Sequence, residues 1–395
     1  MMHLRSFVML CVFLAFFITP ARAQDSLKEQ RSTLIKTNNT FLDYVDINLL
    51  LRSSLDIPLG GDAPPAAIRM KEMRFEVRGD LPTIPLAYRL RFRLNRTSEQ
   101  RAFDNAPGAI DIALVDYQFG KRKNWVVSVG KQAAYVGSWE FENNPTYEYE
   151  YSEFVNNQLN LFAMGIRLGY QISPTQTVHL QVQNTFNESF DRLYELSGYN
   201  KTGRTASKLP LGLILAWQGK FFGDKLQTFY SGNLSQVAKN EVNQSLVLGH
   251  KWNLKSFTGY LDLHTSNFGV DYVNIASPSI NNYRNNPVRT YASDINYKAA
   301  ILRLNYEFVP RFFLTAKFFF ETASDRKDNT IGKNFRDNIG LLGGLEFQPI
   351  KSQNMRMFGY FFNNQKKYHG VVGAANPDIS SNMVSLGFFY FVNVL

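Results

Sequence analysis

The feature that most constrains this chain is an alternation of apolar and polar residues, repeated in segments of about ten residues between turn-forming stretches. Beyond Ala23 no apolar run approaches the roughly 18 residues that a membrane-spanning helix needs. Residues two apart on a strand share a face. On that rule Ile84, Leu86, Tyr88, Leu90, Phe92 and Leu94 fall on one side, and Ala87, Arg89, Arg91, Arg93 and Asn95 on the other. Phe162, Met164, Ile166, Leu168, Tyr170 and Ile172 oppose Ala163, Gly165, Arg167, Gly169 and Gln171 in the same way. After Ser173-Pro174-Thr175 the pattern restarts with Val178, Leu180 and Val182.

Sixteen such segments begin near residues 42, 69, 84, 110, 125, 160, 178, 209, 226, 244, 257, 297, 312, 338, 355 and 382. An even count suits a closed antiparallel barrel. The connections alternate in length: those at Gly79 to Thr83, Gly120 to Asn124, Ser173 to Thr177, Gly219 to Lys225, Asn253 to Ser256, Val309 to Arg311 and Pro349 to Asn354 are short, and the others longer and polar. Short turns on one side and long loops on the other match the periplasmic and extracellular ends of an outer-membrane barrel. The expectation is an all-β fold, a 16-stranded antiparallel transmembrane β-barrel over residues 41–395, in the outer membrane of a Gram-negative cell. Composition agrees: aromatics make up 14% and charged residues 19% of the chain, the latter below the roughly 25% usual in soluble domains. A secreted soluble β protein would also alternate, because one face of each strand packs on a core. Small or charged residues on the polar faces, including Gly165, Gly169, Gly340 and Gly344, fit the inside of a barrel better than the outside of a sandwich. Trp125, Tyr170, Trp217, Trp252, Phe308, Phe312 and Tyr390 stand near segment ends, where interfacial girdles sit.

The opening segment has a charged start at Arg5, an apolar core from Phe7 to Ile18 and a small-x-small site at Ala21-Arg22-Ala23. It reads as a signal peptide, residues 1–23. Residues 24–40 are polar and lack alternation, so they read as a periplasmic N-terminal tail. The single cysteine, Cys11, lies in the segment to be removed, which excludes disulfide scaffolds and thiolate chemistry. Removal leaves 41 basic and 33 acidic residues, a net charge of +8. That charge is spread over walls and loops rather than gathered in an aromatic-interleaved patch, so nucleic acid is not an expected partner. Gly130-Lys131 and Gly332-Lys333 lack the surrounding residues of a phosphate-cradling loop. His179, His250 and His369 are isolated, and neither a metal nor a cofactor is expected.

Function is therefore sought on the inward faces. Arg89, Arg91 and Arg93 share one face of a strand, and the preceding strand carries Arg74 and Arg78. Alternate residues lie roughly 6.6 Å apart along a strand, and guanidinium groups at that spacing can hand an anion onward without losing every contact. Glu72 and Glu76 alternate with Arg74 and Arg78 and can neutralise them. The third long connection, Gln132 to Leu159, carries Glu140, Glu142, Glu148, Glu150 and Glu153 interleaved with Tyr147, Tyr149 and Tyr151. It is long enough to fold inward as a constriction loop, where acids facing an arginine wall would set up a transverse field.

Ala113-Leu114-Val115-Asp116-Tyr117-Gln118-Phe119, then Val129-Gly130-Lys131 and Gly137-Ser138-Trp139-Glu140, resemble the phosphate-selective porin O/P family. The strand pair around Arg74 to Gly79 and Tyr88 to Phe92 resembles that family's early hairpin. The resemblance implies a homotrimeric sixteen-stranded outer-membrane channel with its third extracellular loop folded inward, and basic lumen residues guiding anions. Arg89, Arg91, Arg93 and Lys131 are the positions carried over. The chain departs from the pattern in lacking a proline within Gln132 to Gly137, and in the acidity of its loop.

The expected function is passive diffusion of small hydrophilic solutes, with a preference for anions such as phosphate. His264-Thr265-Ser266-Asn267 resembles the H-x-S-N element of outer-membrane phospholipase A. However, His264 and Ser266 share parity with Thr258, Tyr260 and Asp262, which points them into the lumen and away from lipid, so no enzyme is expected. An adhesin or assembly subunit is the alternative, using long loops such as Ser266 to Asn296 with its Asn281-Asn282-Tyr283-Arg284-Asn285-Asn286 stretch.

Overall fold

The computed structural model describes residues 42–61, 63–81, 83–96, 104–142, 147–158, 161–351 and 353–395. The expected signal peptide and periplasmic tail lie outside the described residues. From the N-terminal side the strands are β1 (Val45–Leu59), β2 (Ala67–Asp80), β3 (Leu86–Arg93), β4 (Ile110–Phe119), β5 (Trp125–Ala133), β6 (Phe162–Ser173), β7 (Gln176–Asn184) and β8 (Leu211–Phe221). They continue as β9 (Leu226–Gln236), β10 (Val242–Asn253), β11 (Phe257–Val270), β12 (Ser293–Val309), β13 (Phe312–Asp325), β14 (Arg336–Phe347), β15 (Asn354–Tyr368) and β16 (Ile379–Asn393). Each strand is hydrogen-bonded to its sequence neighbours, and β1 closes on β16 to complete a barrel. The closing register sets Leu51 opposite Tyr390 and Leu55 opposite Leu386. No helix among the described residues is long and apolar enough to cross a membrane.

The alternation has a definite polarity, seen best in β13. Thr315, Lys317, Phe319 and Glu321 are buried on one face, while Leu314 and Phe320 on the other are exposed. The pattern recurs around the barrel, with Ile166 55%, Leu215 61% and Leu345 55% exposed. Buried charge on the inside and bare Leu, Ile and Phe on the outside is the reverse of a water-soluble sheet. A continuous apolar exterior of this kind is stable only where lipid covers it.

Every strand begins within four residues of its expected start. The largest offset is at β12, which starts at Ser293, because its ladder to β11 continues through the polar residues Asn296 and Ser293, and Asn296 also pairs with β13. Such strand ends project past the apolar belt on the long-loop side. At the short-turn end the aromatic residues form a band: Trp125 lies 4.4 Å from Tyr170, Phe312 4.6 Å from Phe347 and Trp217 5.3 Å from Tyr230, centroid to centroid. Inside the long-loop end, two apolar clusters join loops to wall. One packs Phe268, Ile280, Ile295, Phe335 and Val372 together, and the other gathers Tyr194, Tyr199, Tyr272 and Tyr291. They contain the helices Ser277–Arg284 and Gly370–Ala375, and Phe190–Ser197, respectively.

The exterior generates a direct test. Leu215→Arg places a charge midway along β8 on the apolar face, and is expected to cost about 2–4 kcal/mol in reversible unfolding from lipid vesicles. A change below about 0.5 kcal/mol, the size of an ordinary surface substitution, would contradict a lipid-covered belt.

Candidate functional site

Neighbouring inner faces of β1 to β4 bring the sequence's arginines together. In the β2–β3 ladder Arg74 lies opposite Arg93, Glu76 opposite Arg91, and Arg78 opposite Arg89. Like charges directly opposite repel, so the acids around them decide whether the face holds together. Glu72 accepts from Arg74 at 2.8 Å and lies 4.0 Å from Arg52, while Glu76 accepts from Arg89 at 2.8 Å. Asp111, at the start of β4, is shared by three guanidiniums: Arg93 at 3.2 Å, Arg74 at 3.4 Å and Arg91 at 3.6 Å. Arg52, Arg74, Arg89, Arg91 and Arg93 thus share Glu72, Glu76 and Asp111, and the face keeps an excess of positive charge. The Arg89 side chain is 40% exposed, so part of that charge is accessible. Arg91 and Arg167 also lie over rings, of Phe162 at 5.1 Å and Tyr135 at 4.4 Å.

The two other basic candidates stand apart from this cluster. Arg78 pairs with Asp46 at 3.0 Å near the short-turn end, where both are exposed. Lys131 is buried against Asp104 at 2.6 Å.

The segment between β5 and β6 is held by inner-face side chains distant in sequence. Asp262 of β11 accepts from Ser138 Oγ at 2.8 Å and from the backbone N–H groups of Trp139 at 3.0 Å and Glu140 at 2.8 Å. Glu321 of β13 does the same for Glu153 N at 3.0 Å and Phe154 N at 2.7 Å. Each carboxylate caps a short helical turn, Trp139–Glu142 or Phe154–Gln158, satisfying N–H groups that have no partner within the turn. Lys317 donates to Glu140 at 2.6 Å, Glu148 at 2.9 Å and the Glu150 carbonyl at 2.7 Å. Arg303 pairs with Glu148 at 3.0 Å, and Arg336 forks onto both oxygens of Glu153 at 2.7 Å. Tyr360 donates to Glu150 at 2.8 Å, and Arg52 donates to the Glu148 carbonyl. Gly137, at φ +73°, brings its carbonyl so close to Gly249 that a Cβ there would stand 2.5 Å away.

The loop acids therefore do not stand unpaired opposite the arginines, as a simple transverse field would require. Glu140, Glu148, Glu150 and Glu153 are taken up by Lys317, Arg303, Tyr360 and Arg336. Glu142 is the exposed one, and the cations acting on it are Arg167, Arg89, Arg91 and Lys251. A buried carboxylate next to a fixed cation is satisfied locally, which is why charge count alone misplaced the field. Asp262, Glu321, Lys317, Arg303 and Arg336 carry much of this arrangement. Sequence reasoning turned Asp262 inward but gave none of the five a role, although each is a charged residue at an inward position of a long alternating segment.

The model of the family described as phosphate-selective porin O and P matches residues 61–391. The chain belongs to that family. No curated protein matches its sequence. Among solved structures, this porin is similar to the outer membrane channel DcaP of Acinetobacter baumannii, with a TM-score of 0.60 and 12% identity over 88% of this chain and 96% of that one. The anion-selective porin from Comamonas acidovorans aligns with a TM-score of 0.58 and 10% identity over 88% and 99%. OmpT of Vibrio cholerae in its trimer form aligns with a TM-score of 0.53 and 12% identity over 88% and 98%. At such identities the likeness shows the fold. Membership of the family makes the barrel an outer-membrane channel.

Family and fold point to a channel rather than an enzyme, and the H-x-S-N element fits that picture. His264 and Ser266 are both buried on the inner face of β11. The His264 ring lies 4.0 Å from that of Phe154, and Ser266 Oγ is 3.4 Å from Gln158 Oε1. In this porin both residues are engaged by the segment between β5 and β6.

Two measurements test how that segment is held. In Asp262→Asn each charge-assisted bond, worth about 1.5–3 kcal/mol, is replaced by a weaker one. Hydrogen exchange at Trp139 and Glu140 is expected to accelerate at least tenfold, with the β10–β12 ladder unchanged; unchanged exchange at the two amides would dismiss the cap. Glu153 supplies a pH test. Burial alone would raise its pKa, but Arg336 and Lys366 hold it below the ordinary 4.5. A depressed carboxylate contributes above its unfolded pKa and loses that contribution as pH falls through the folded one. The Glu153 carboxyl resonance should therefore hold its ionised position from neutral pH to about 4.5 and move only below it.

Proposed function

We propose that this porin passes small hydrophilic solutes by passive diffusion and favours anions, phosphate among them. The observation that carries this reading is the wall of β1 to β4, where five guanidiniums share three carboxylates. Arg93, Arg91 and Arg89 form the steps of the path, and an anion released by one finds the next before it is fully rehydrated. Binding at each step is kept weak because every arginine already shares an acid.

In this reading residues 134–142 and 147–158 belong to an inward-folded constriction loop, and Glu142 is its acid nearest the path. Support comes from the loop's partners, Asp262, Lys317, Glu321, Arg303, Arg336 and Arg52, all of them buried on inner faces. Glu140, Glu148, Glu150 and Glu153 fix the loop, while Lys131 and Arg78 stand outside the cluster, each paired with an acid of its own, Asp104 and Asp46. Homotrimeric assembly in outer-membrane lipid, and removal of residues 1–23 on export, complete the proposal. The first is supported by the family resemblance and by the trimer form of the Vibrio cholerae barrel, the second by the opening sequence alone.

The test is the reversal potential of the refolded mature chain in a planar bilayer under a salt gradient. Anion preference is expected, and Arg89→Ala, Arg91→Ala and Arg93→Ala together should bring it towards equal permeability while conductance persists. A wild-type channel without ion preference would dismiss the arginine path and leave a general porin.

A further inference from the structure

Where the apolar belt ends on the long-loop side, the register aligns a row of polar side chains around the outside of the wall. Thr265 of β11 lies opposite Lys298 of β12, Lys298 opposite Thr322 of β13, Thr322 opposite Asp337 of β14, and Asp337 opposite Lys367 of β15. Neighbouring strands are about 4.8 Å apart, so the row runs about 19 Å around the barrel. Two residues nearer the short turns, and therefore on the same face, the ladders carry Leu263, Ala300, Phe320 and Ile339. Leu263 and Phe320 are exposed and belong to the lipid-facing belt. The row therefore stands at the level where lipid headgroups begin.

Charge at this level is not balanced. Lys298 is exposed, with Thr265 and Thr322 opposite it and Asn296 and Ala300 along its own face, none of them acidic. Its ammonium has no ion pair or hydrogen bond among the described residues, and Arg326, exposed just beyond the end of β13, has no ion pair among them either. Nearby acids are already engaged: Asp294 holds Lys327 at 2.6 Å, Asp328 holds Arg284 at 3.1 Å, and Asp337 bonds the His369 ring at 2.9 Å. Lys367 stands opposite Asp337, which leaves the excess positive charge at Lys298 and Arg326. Two amides flank these cations. Asn267 accepts from Asn296 at 2.9 Å, and Asn334 accepts from Thr322 at 3.3 Å and Ser324 at 3.2 Å. Each uses only its Oδ1 in these bonds, so its Nδ2 remains as a donor.

We propose that this outer face binds an acidic glycolipid of the leaflet around the long loops, one whose sugar headgroup carries phosphate. Lys298 takes the phosphate next to the acyl chains. Arg326, four residues along β13 from Thr322 and so about 14 Å further towards the loops, takes a second anionic group on the outer sugars. Asn267 and Asn334 donate to sugar hydroxyls, and the acyl chains cover Leu263 and Phe320. A phospholipid headgroup without sugars gains the charge alone, and an unphosphorylated glycolipid the hydroxyl bonds alone. The inference depends on the lipid-covered belt and not on what the pore passes.

The probes are diphosphoryl lipid A and the same lipid bearing two acidic sugars, each titrated into the refolded full chain in detergent micelles and followed by native mass spectrometry. Saturable binding of both is expected. Lys298→Gln should weaken both at least fivefold, whereas Arg326→Gln should weaken only the lipid with the acidic sugars. Lys298→Arg, which keeps the charge, should bind as the unchanged chain does, and Lys298→Met serves if Lys298→Gln fails to fold. Lys225→Gln, at the short-turn end, should leave both affinities unaltered. Phosphatidylglycerol and dephosphorylated lipid A should each bind at least fivefold more weakly than lipid A. Unaltered binding in Lys298→Gln, phosphatidylglycerol binding as tightly as lipid A, an equal loss in Lys225→Gln, or inorganic phosphate displacing lipid A at equal concentration would each overturn the proposal. A barrel that binds the glycolipid without conducting would uphold this face and sink the channel reading, and a conducting barrel that binds none would do the opposite.

Discussion

The pairing of β1 with β16 is the contact on which the rest of the molecule depends. In lipid no water is present to satisfy an open strand edge, so a sheet can reside there only if its last strand hydrogen-bonds its first. The ladder from Asn48 opposite Asn393 to Leu59 opposite Asn382 removes both edges. It joins residues some 330 positions apart, so this contact depends on all fourteen intervening strands being in place. Closure also defines an inside, and with it the two-faced chemistry of every strand.

That inside is neither an apolar core nor an empty tube. Charged residues line it, and the chain uses them to hold its own loop: carboxylates at Asp262 and Glu321 meet backbone N–H groups, and Lys317, Arg303 and Arg336 meet the loop's glutamates. Separating one partner of such a buried pair leaves an uncompensated charge, which is costly. The loop is thereby fixed by many reciprocal contacts, while β1 to β4 retain exposed positive charge. Most ion pairs that hold the loop gather on β12 to β15, and most guanidiniums of β1 to β4 share acids of their own wall, with Arg52 reaching both.

Much of this was legible in the sequence, and the particular residues show why. Arg89, Arg91 and Arg93 share a face because strand parity is a local rule, and Glu72 and Glu76 were visible as their neutralisers. His264 and Ser266 could be turned inward by the same counting. Parity does not say which distant residue a side chain meets. Asp111 gathering three arginines, or Asp262 capping a turn more than 120 residues away, leaves no mark in local spacing. The acidic loop showed the limit most clearly, since its charge was evident and its partners were not.

Taken alone, the sequence determined the number of strands, their faces, the alternation of short turns and long loops, and the arginines of the inner wall. These follow from period-two geometry and turn chemistry, which act over a few residues. Tertiary structure alone decided which acid neutralises which base and which glutamate is left exposed. Those outcomes depend on how closure sets strands β1 and β10 to β15 around one segment. Electrostatic energy is governed by distances across that space, and only the folded barrel fixes them.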